Sequence, residues 1–391
     1  MNNLNIEKKE KEILNVAMHL IKIPAFSIGR FKNLKGISEC FDFIVDYFKK
    51  AGLRVIEFKD KKTIPGLYCD LGNKEKLSGK MLFAGHYDRV SPISEEQMNP
   101  MIDGEWLKAR GATDMLCTVA TIMVLFKDLK LAKEDLECGL LLVGNEEPGE
   151  TEKWGTHYIL EELKNRNDYY PDFVIVGERT GEGGQKFGKL EYKNRGLVRI
   201  KMEASGSAVH TAQLRGLTVV ERIMEFRKRI NDYLAESFDN EWKTTFTFPY
   251  FITGEDGNFN TTPTGAKAGL EIRPIPEQDF NGIIKYIEET SKEFNLEIDF
   301  VNKEPGIITS LENQYIHKLI QSIVKITGGN PSDYLGVGKP HATQARFIKS
   351  PVIIFGQSGI NPHGDNEAHY IPSIMPYYRV LHEFLLTTGQ T

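Results

Sequence analysis

Short apolar runs that alternate with helical segments constrain the fold of this chain more than any other feature. Several of these runs are apolar on both faces, and the six of strand length lie at 53–58, 66–71, 80–85, 140–144, 173–177 and 352–356. Helical patterns at 7–21, 37–50, 113–129 and 152–163 lie before and between them. A strand that is apolar on both faces must be covered on both faces, as in parallel or mixed sheets. The sequence therefore predicts an α/β domain with a mixed, mostly parallel sheet flanked by helices.

The pattern changes between about residues 190 and 304. Strand, helix, strand, strand, helix and strand patterns follow one another there, at 197–204, 216–234, 244–253, 266–272, 280–294 and 296–301. This order is typical of an α+β two-layer unit with helices on one face of an antiparallel sheet. The length of 391 residues also favours two structural units. We predict a catalytic domain of residues 1–189 and 305–391, split by an inserted domain of residues 190–304.

Composition argues against several classes of function. The net charge is -5 and the pI is ≈ 6.1, with Lys and Arg scattered along the chain, so nucleic acid is not an expected partner. The four cysteines form no CxxC pair, which argues against a disulfide framework and a thiolate zinc site and favours a cytoplasmic location. The sequence contains no run of about 18 uncharged apolar residues, so no membrane span is predicted. The N-terminal segment likewise has no long apolar core typical of a secretion signal.

Residues that can bind metal follow the ends of the apolar runs. They occur in GHYD, ARGATD, GNEEPGE, VGERTG and PHGDNEAHY, and are His86, Asp88, Asp114, Glu146, Glu147, Glu178 and His363. Four of them have an ordinary alternative: Asp114 can cap a helix, the paired Glu146 and Glu147 can form a solvated turn, and Glu178 can pair with Arg179. Open α/β sheets place their sites at such strand ends, and seven residues in the same kind of position favour one shared site.

The residue types suit a centre with two metal ions. A neutral imidazole such as that of His86 binds zinc readily, and Asp88 can orient the ring. A carboxylate such as Asp114 can bridge two cations. Of the adjacent Glu146 and Glu147, one can bind metal while the other takes a proton from water.

The order HxD, GxxD, EE, GE and late His resembles, over nearly the full length, a family of dizinc metallopeptidases and deacylases. That family includes aminoacylase, acetylornithine deacetylase, succinyl-diaminopimelate desuccinylase and related carboxypeptidases and dipeptidases. The resemblance implies two zinc ions per subunit, with cobalt or manganese as possible replacements. It implies that His86, Asp114 and Glu178 bind one ion and that Glu147 and His363 bind the other, with Asp114 bridging. Glu146 is then the general base that activates the bridging water, and Asp88 orients His86.

The resemblance also assigns roles in the insert, which in this family is a dimerisation or lid domain, so a homodimer is expected. His210 in GSAVH would reach the neighbouring subunit's site and stabilise the oxyanion. Asn260 and Arg273 would contact a substrate carboxylate or support the lid. For Arg273, a structural role at a strand end is an equal alternative.

Two segments can be compared with the family's pattern residue by residue. Thr343 and Arg346 in HATQARFI fit a substrate-binding loop that carries Thr or Ser, an acid and Arg in the deacylase branches. Gln344 replaces the acid, which argues against recognition of a cationic side chain and suggests an amide that reads a neutral polar one. Leu116 and Cys117 replace the usual Lys and Gly after the bridging Asp. We expect this replacement to affect local packing more than hydrolysis.

The predicted function is a zinc-dependent amidohydrolase that removes a small acyl group, acetyl- or succinyl-like, from an N-acyl amino acid. A dipeptidase or carboxypeptidase with the same site, acting on a short peptide, is the alternative. A catalytically silent binding protein of the same fold is a third hypothesis.

Overall fold

The computed structural model describes residues 3–72, 77, 80–150, 153–235 and 242–388. The chain divides into two compact units. The first unit comprises Met1–Tyr192, Thr309–Gly336 and Thr343–Thr391, and the second comprises Lys193–Ile308 and Val337–Ala342.

The bounds of the elements, numbered in chain order, are as follows. The helices are α1 (Asn3–Lys22), α2 (Leu34–Lys50), α3 (Cys117–Leu131), α4 (Thr156–Asn167), α5 (Val219–Ala235), α6 (Phe280–Glu293), α7 (Gln314–Thr327) and α8 (Ile374–Thr388). The strands are β1 (Phe26–Ile28), β2 (Arg54–Phe58), β3 (Gly66–Asp70), β4 (Met81–His86), β5 (Arg89–Val90), β6 (Met101–Asp103), β7 (Trp106–Lys108), β8 (Cys138–Val143), β9 (Phe173–Val176), β10 (Gly181–Glu182), β11 (Lys193–Asn194), β12 (Leu197–Ser205), β13 (Thr245–Thr247), β14 (Phe251–Thr253), β15 (Gly265–Arg273), β16 (Glu297–Glu304), β17 (Ile307–Ile308), β18 (Val352–Ile354), β19 (Ser358–Ile360) and β20 (Ala368–Tyr370).

The first unit is built on a six-stranded sheet in the order β18-β9-β4-β8-β3-β2. Its first four strands are parallel, and β3 and β2 are antiparallel to their neighbours. This confirms the predicted mixed, mostly parallel sheet. The strands β3, β4, β8 and β9 are buried throughout, and so is most of α3, because their sequences are apolar on every side. The predicted start of α4 at Glu152 lies outside the described residues.

A second sheet of the first unit, in the order β10-β19-β20-β7-β6, was not predicted. Its strands are only two or three residues long, too short for a periodic pattern to reveal. The segment between β19 and β20 carries His363, so this sheet positions one of the predicted ligands.

The second unit is an antiparallel sheet in the order β13-β15-β12-β16, with α5 and α6 packed on it. Alternate residues of β12 are buried, as a sheet with one covered face requires. The single predicted strand at 244–253 is in fact two strands, β13 and β14, that both pair with β15. Pro249 lies between them and has no N–H to donate to a ladder, which explains the break.

The segment Val337–Ala342 belongs to the second unit, whereas the sequence prediction placed it in the first. Asn194 accounts for this difference, since its side-chain amide donates to the carbonyl oxygens of Lys339, at 3.0 Å, and His341, at 2.5 Å. Backbone hydrogen bonds between Lys339 and residues 193 and 195 add to this attachment. Pairing of segments so distant in sequence leaves no periodic signal.

In the described part of the chain, no helix combines the length and apolar character that crossing a bilayer requires.

Candidate metal centre

The strand register of the main sheet brings three ligand-bearing segments to one edge. His86, the last residue of β4, pairs with Val143 of β8, and Ala84 pairs with Val176 of β9. The chain leaves β8 into the turn with Glu146 and Glu147, and leaves β9 towards Glu178. The carboxyl ends of these parallel strands therefore supply an imidazole and three carboxylates together.

Two groups of potential ligands share one aspartate. In the first group, His86 Nε2 lies 3.2 Å from Asp114 Oδ1 and 3.2 Å from Glu178 Oε1. In the second group, His363 Nε2 lies 3.1 Å from Asp114 Oδ2 and 3.2 Å from Glu147 Oε2. The two oxygens of Asp114 thus face different imidazoles, as expected of a carboxylate that bridges two cations.

The ligand atoms fit a divalent metal. Within each group they all lie within 4.8 Å of one another. Zinc bonds of about 2.0–2.1 Å place two tetrahedral ligands roughly 3.3 Å apart, close to the observed separations. Glu147 Oε1 is also buried without a hydrogen-bond partner among the described residues. An acceptor in that position is costly unless it meets a donor or a cation.

The electrostatics of the two ligand groups also favour a bound cation. Burial opposes protonation of His363, but the carboxylates of Asp114 and Glu147 outweigh it and raise the pKa of His363 to about 11. Burial likewise raises the pKa of Glu147 to about 8, although His363 lowers it. The neighbouring imidazoles overcome the effect of burial on Asp114 and hold its pKa well below the usual range. The cluster therefore stabilises positive charge among its carboxylates, which a bound cation would supply.

Asp114 lies in a tight turn and not at a helix edge, so the predicted helix from residue 113 begins too early. Its backbone angles are φ -129° and ψ 90°, and α3 begins only at Cys117. The peptide bond from Asp114 to Met115 is cis. Cys117 is fully buried in the core.

Asp88 supports the site from behind the ligands. The His86 ring approaches it through Nδ1, which lies 3.0 Å from the Asp88 backbone carbonyl and 3.5 Å from its carboxylate. The carboxylate accepts the backbone N–H groups of Glu146 and Glu147, at 3.2 and 3.1 Å, and the hydroxyl of Ser27 at 2.5 Å. Asp88 therefore contacts the His86 imidazole and the turn that carries both glutamates.

Glu146 lies beside the ligands and faces an arginine. Its Oε1 is 3.5 Å from Arg346 Nη1, and its side chain is only 12% exposed. Burial raises the pKa of Glu146, while His86 and Arg346 oppose that rise. A carboxyl group in such surroundings is suited to exchanging a proton with a reactant.

The loop with Thr343 packs against the strand that carries His86. The Thr343 hydroxyl accepts from Ala345 N at 3.2 Å, and Arg346 Nη1 donates to the Thr343 carbonyl at 2.9 Å. Gln344 is fully buried, and its amide donates to the Gly85 carbonyl at 3.0 Å. The amide of Gln344 therefore serves β4, contrary to the suggestion that it reads a substrate side chain. An ionised acid could not donate this hydrogen bond.

His210, Asn260 and Arg273 belong to the second unit. His210 is exposed, and its Nδ1 accepts from Ala212 N at 3.2 Å, while the Asn260 carbonyl accepts from Thr211 N at 3.0 Å. His210 and Asn260 are therefore brought to neighbouring stretches of chain. Arg273 instead pairs with Glu271 of its own strand at 2.8 Å, which favours the structural alternative for this residue.

Three buried residues beside the ligands were not found from the sequence: Gln97, Arg110 and Glu367. Arg110 and Glu367 form an ion pair at 2.5 Å, and Gln97 donates to the loop after His363. Two of them could have been found from their distance to the ligands along the sequence. Arg110 precedes Asp114 by four residues, and Glu367 follows His363 by four.

A carboxylate shared by two cation-binding groups, at the carboxyl ends of parallel strands, is typical of metal-dependent hydrolases. A family model described as Peptidase family M20/M25/M40 matches residues 82–387, and the chain belongs to this family. It is therefore a metal-dependent hydrolase that acts on amide bonds.

Relatives match over most of the chain. Succinyl-diaminopimelate desuccinylase of a Nitratiruptor species is 24% identical over 384 residues, which cover 96% of this chain and 99% of that protein. The desuccinylase of Wolinella succinogenes is 26% identical and covers 77% of this chain and 82% of that protein.

Solved structures share the fold. An M20 family metallo-carboxypeptidase from Sulfolobus solfataricus has a TM-score of 0.76 and 19% identity, covering 97% of this chain and 100% of that one. A tripeptidase from Staphylococcus aureus has a TM-score of 0.77 and 16% identity, with coverage of 98% and 99%. Both matches extend over nearly the whole chain, through both units.

Proposed function

We propose that this protein is a zinc-dependent deacylase that removes a small acyl group, acetyl- or succinyl-like, from an N-acyl amino acid. The observation that carries the proposal is a largely enclosed glutamate, Glu146, with a side chain that is 12% exposed, beside two ligand groups that share Asp114. The match to relatives named succinyl-diaminopimelate desuccinylase over most of the chain supports acyl transfer to water as the reaction.

The proposed ligands follow the two groups. His86, Asp114 and Glu178 would hold one ion, and Asp114, Glu147 and His363 would hold the second. Zinc suits imidazole and carboxylate ligands, and cobalt or manganese would fit the same donors. Bound divalent cations would act as Lewis acids towards the scissile carbonyl and make the attacking water more acidic.

The residues of the chain would then divide the work. Glu146 would take a proton from the attacking water and deliver it to the leaving nitrogen. Asp88 would hold the Glu146 turn through its two backbone contacts and fix the His86 ring. Arg346, whose guanidinium faces Glu146, and Thr343 would contact the substrate carboxylate, since a planar guanidinium pairs well with such a group.

The second unit would act as a dimerisation or lid domain of a cytoplasmic homodimer. His210, which is exposed, would reach the partner's site and stabilise the developing oxyanion. Asn260 would contact substrate, and Arg273 would do so only by leaving its contact with Glu271.

A peptidase with the same centre is the second candidate. The solved structures with this fold include a metallo-carboxypeptidase, a tripeptidase and human carnosine dipeptidase 1. Deacylation and peptide cleavage attack the same kind of carbonyl, so only the substrate pocket separates them.

One assay distinguishes these candidates. The zinc-loaded protein is incubated in parallel with acetyl, succinyl and formyl amino acids and with dipeptides, and release of the free amine is measured. We expect a succinyl or acetyl amino acid to have the highest kcat/KM. Fast cleavage of dipeptides with inert acyl substrates would establish the peptidase instead.

The role of Glu146 is tested in the same assay. We expect Glu146→Gln to lower kcat by about 10²–10⁴-fold while metal content stays unchanged, because the amide cannot accept the proton. Glu161→Gln, which alters a surface acid on α4, is the matched control and should retain full activity. An active Glu146→Gln would refute the assignment, and a wild type without activity on any substrate would favour a silent binding protein.

A further inference from the structure

A buried ion pair links the two chain segments that carry Asp114 and His363. Arg110 Nη1 lies 2.5 Å from Glu367 Oε2, and both residues are almost inaccessible, at 1% and 2% exposure. Neither side chain belongs to a ligand group. Charges buried this deeply are costly to leave unpaired, so each holds the other in place.

Glu367 uses its other oxygen on the turn that carries the bridging ligand. Its Oε1 accepts the backbone N–H groups of Thr113 and Asp114, at 3.2 and 3.3 Å. The turn at Asp114 is not helical, so its amides have no helical hydrogen bonds to fix them. Glu367 supplies the missing acceptor.

Arg110 uses its other nitrogen on the loop that carries His363. Its Nη2 donates to the carbonyl oxygens of His363 and Gly364, at 3.0 and 3.2 Å. Gln97 adds a second hold, since its Nε2 donates to the carbonyls of Gly364 and Asp365, at 2.8 and 2.7 Å.

The His363 side chain itself cannot fix this loop by burial. It is half exposed, and its backbone has a positive φ of 64°, a conformation that residues other than glycine adopt at some cost. His86, in contrast, is the last residue of a fully buried strand. The position of His363 therefore depends on the ion pair and Gln97, whereas that of His86 depends on the sheet.

We propose that Gln97 and the ion pair of Arg110 with Glu367 position the loop that carries His363, and that they thereby set the metal affinity of the second ligand group (Asp114, Glu147, His363) with little effect on that of the first. This inference rests on the proposed two-ion centre. In Glu367→Gln the amide oxygen can still accept the N–H groups of Thr113 and Asp114, so the shared Asp114 keeps its support, while Arg110 beneath the His363 loop loses its charged partner. Gln97 contacts that loop and also accepts from Arg110 Nη2 at 3.5 Å.

The test is metal binding by the full-length protein, depleted of metal and titrated with Co²⁺ while visible absorption is recorded. We expect wild type to bind two equivalents. Glu367→Gln should weaken one equivalent about 10–100-fold and change the other by less than about threefold. Gln97→Met should act on the same equivalent with a smaller effect, and it leaves the buried charges intact should Glu367→Gln fail to fold.

Double variants identify the affected ion. In His363→Ala, adding Glu367→Gln should leave the remaining equivalent unchanged, whereas in His86→Ala it should weaken the remaining equivalent by the full factor. Asp70→Asn is the matched control, because it removes a buried acid that pairs with Arg54 at the opposite end of β3, away from the ligands. It should leave both equivalents as in wild type.

Equal weakening of both equivalents, or no change in either, in Glu367→Gln and Gln97→Met would overturn the inference. A wild type that binds fewer than two equivalents would instead refute the proposed centre, so the two failures are distinguishable. Melting of the metal-depleted variants beside Asp70→Asn separates loss of affinity from general loss of stability.

Discussion

The two ligand groups share Asp114 but are built from different parts of the first unit. His86 ends a buried strand and is 1% exposed, whereas His363 lies in a loop between two three-residue strands and is 50% exposed. His86 is therefore held by the sheet, and His363 by a few polar side chains beneath a loop. Ligands of similar chemistry can thus depend on different kinds of support.

The largest effect should come from the residue that the two groups have in common. We expect Asp114→Ala to abolish stoichiometric binding of both ions and to lower kcat/KM by at least about 10³-fold, because both imidazoles lose their shared carboxylate. Metal analysis after dialysis and the acyl amino acid assay measure this. Retention of one tightly bound ion would show that Asp114 does not bridge.

The two histidines should differ in what they contribute to the fold. We expect His86→Ala to lower the free energy of unfolding of the metal-depleted protein by about 3 kcal/mol, because Asp114 and Glu178 lose a buried cationic partner. His363→Ala should cost less than about 1 kcal/mol, since water reaches its half-exposed side chain. Urea unfolding measures both, and equal losses would remove the contrast between the groups.

The strand that follows the His363 loop carries His369, whose imidazole is buried. We expect this residue to make the stability of the fold sensitive to acid. Burial, with a contribution from Arg179, lowers the pKa of His369 to about 3, and among the described residues neither ring nitrogen has a hydrogen-bond partner. Between this pKa and the ordinary value of 6.5, His369 is therefore neutral in the folded state, whereas the unfolded chain binds a proton there. Stability from this residue is complete above pH 6.5 and is lost as the pH falls towards 3.

We therefore expect the unfolding free energy to fall by about 2 kcal/mol at pH 5 because of His369 alone. His369→Leu should remove that loss, which urea unfolding at pH 5 and pH 7.5 would reveal. His317→Gln, a change of an exposed histidine on α7, should keep the wild-type dependence. An unchanged pH dependence in His369→Leu would place the acid sensitivity in the ligand groups themselves.

The smallest effect should come from a contact that serves both groups. Ser27→Ala removes one hydrogen bond to Asp88, which still accepts two backbone N–H groups. We expect both Co²⁺ equivalents to weaken together by less than about tenfold, corresponding to roughly 1 kcal/mol. A change confined to one equivalent would show that Asp88 supports a single group.

Much of the fold followed from the sequence because apolar periodicity depends on neighbours along the chain. The buried strands β4, β8 and β9 and the amphipathic α2 were predicted within a few residues. The strands of the second sheet were missed because they are short. Asp114 was placed on a helix because no local pattern distinguishes a helix edge from a tight turn.

The candidate site shows the same division. Residue type and order were enough to select the imidazoles and carboxylates that the structure brings together, because metal ligands must be of these types. Arg110, Glu367 and Gln97 have no such restriction, and their importance comes from contacts with segments more than 250 residues away in sequence. Gln344 was likewise interpreted as facing substrate, whereas it donates to Gly85.

The sequence by itself determined the chemistry available to this protein: which side chains can bind cations, which acid can exchange a proton, and which segments are buried strands. These properties belong to residue types and short-range patterns. Only the tertiary structure decided that Asp114 faces both imidazoles, that His86 is fixed by the sheet, and that His363 is fixed by buried polar contacts. Those properties depend on distances between residues that are remote along the chain, which folding alone brings together.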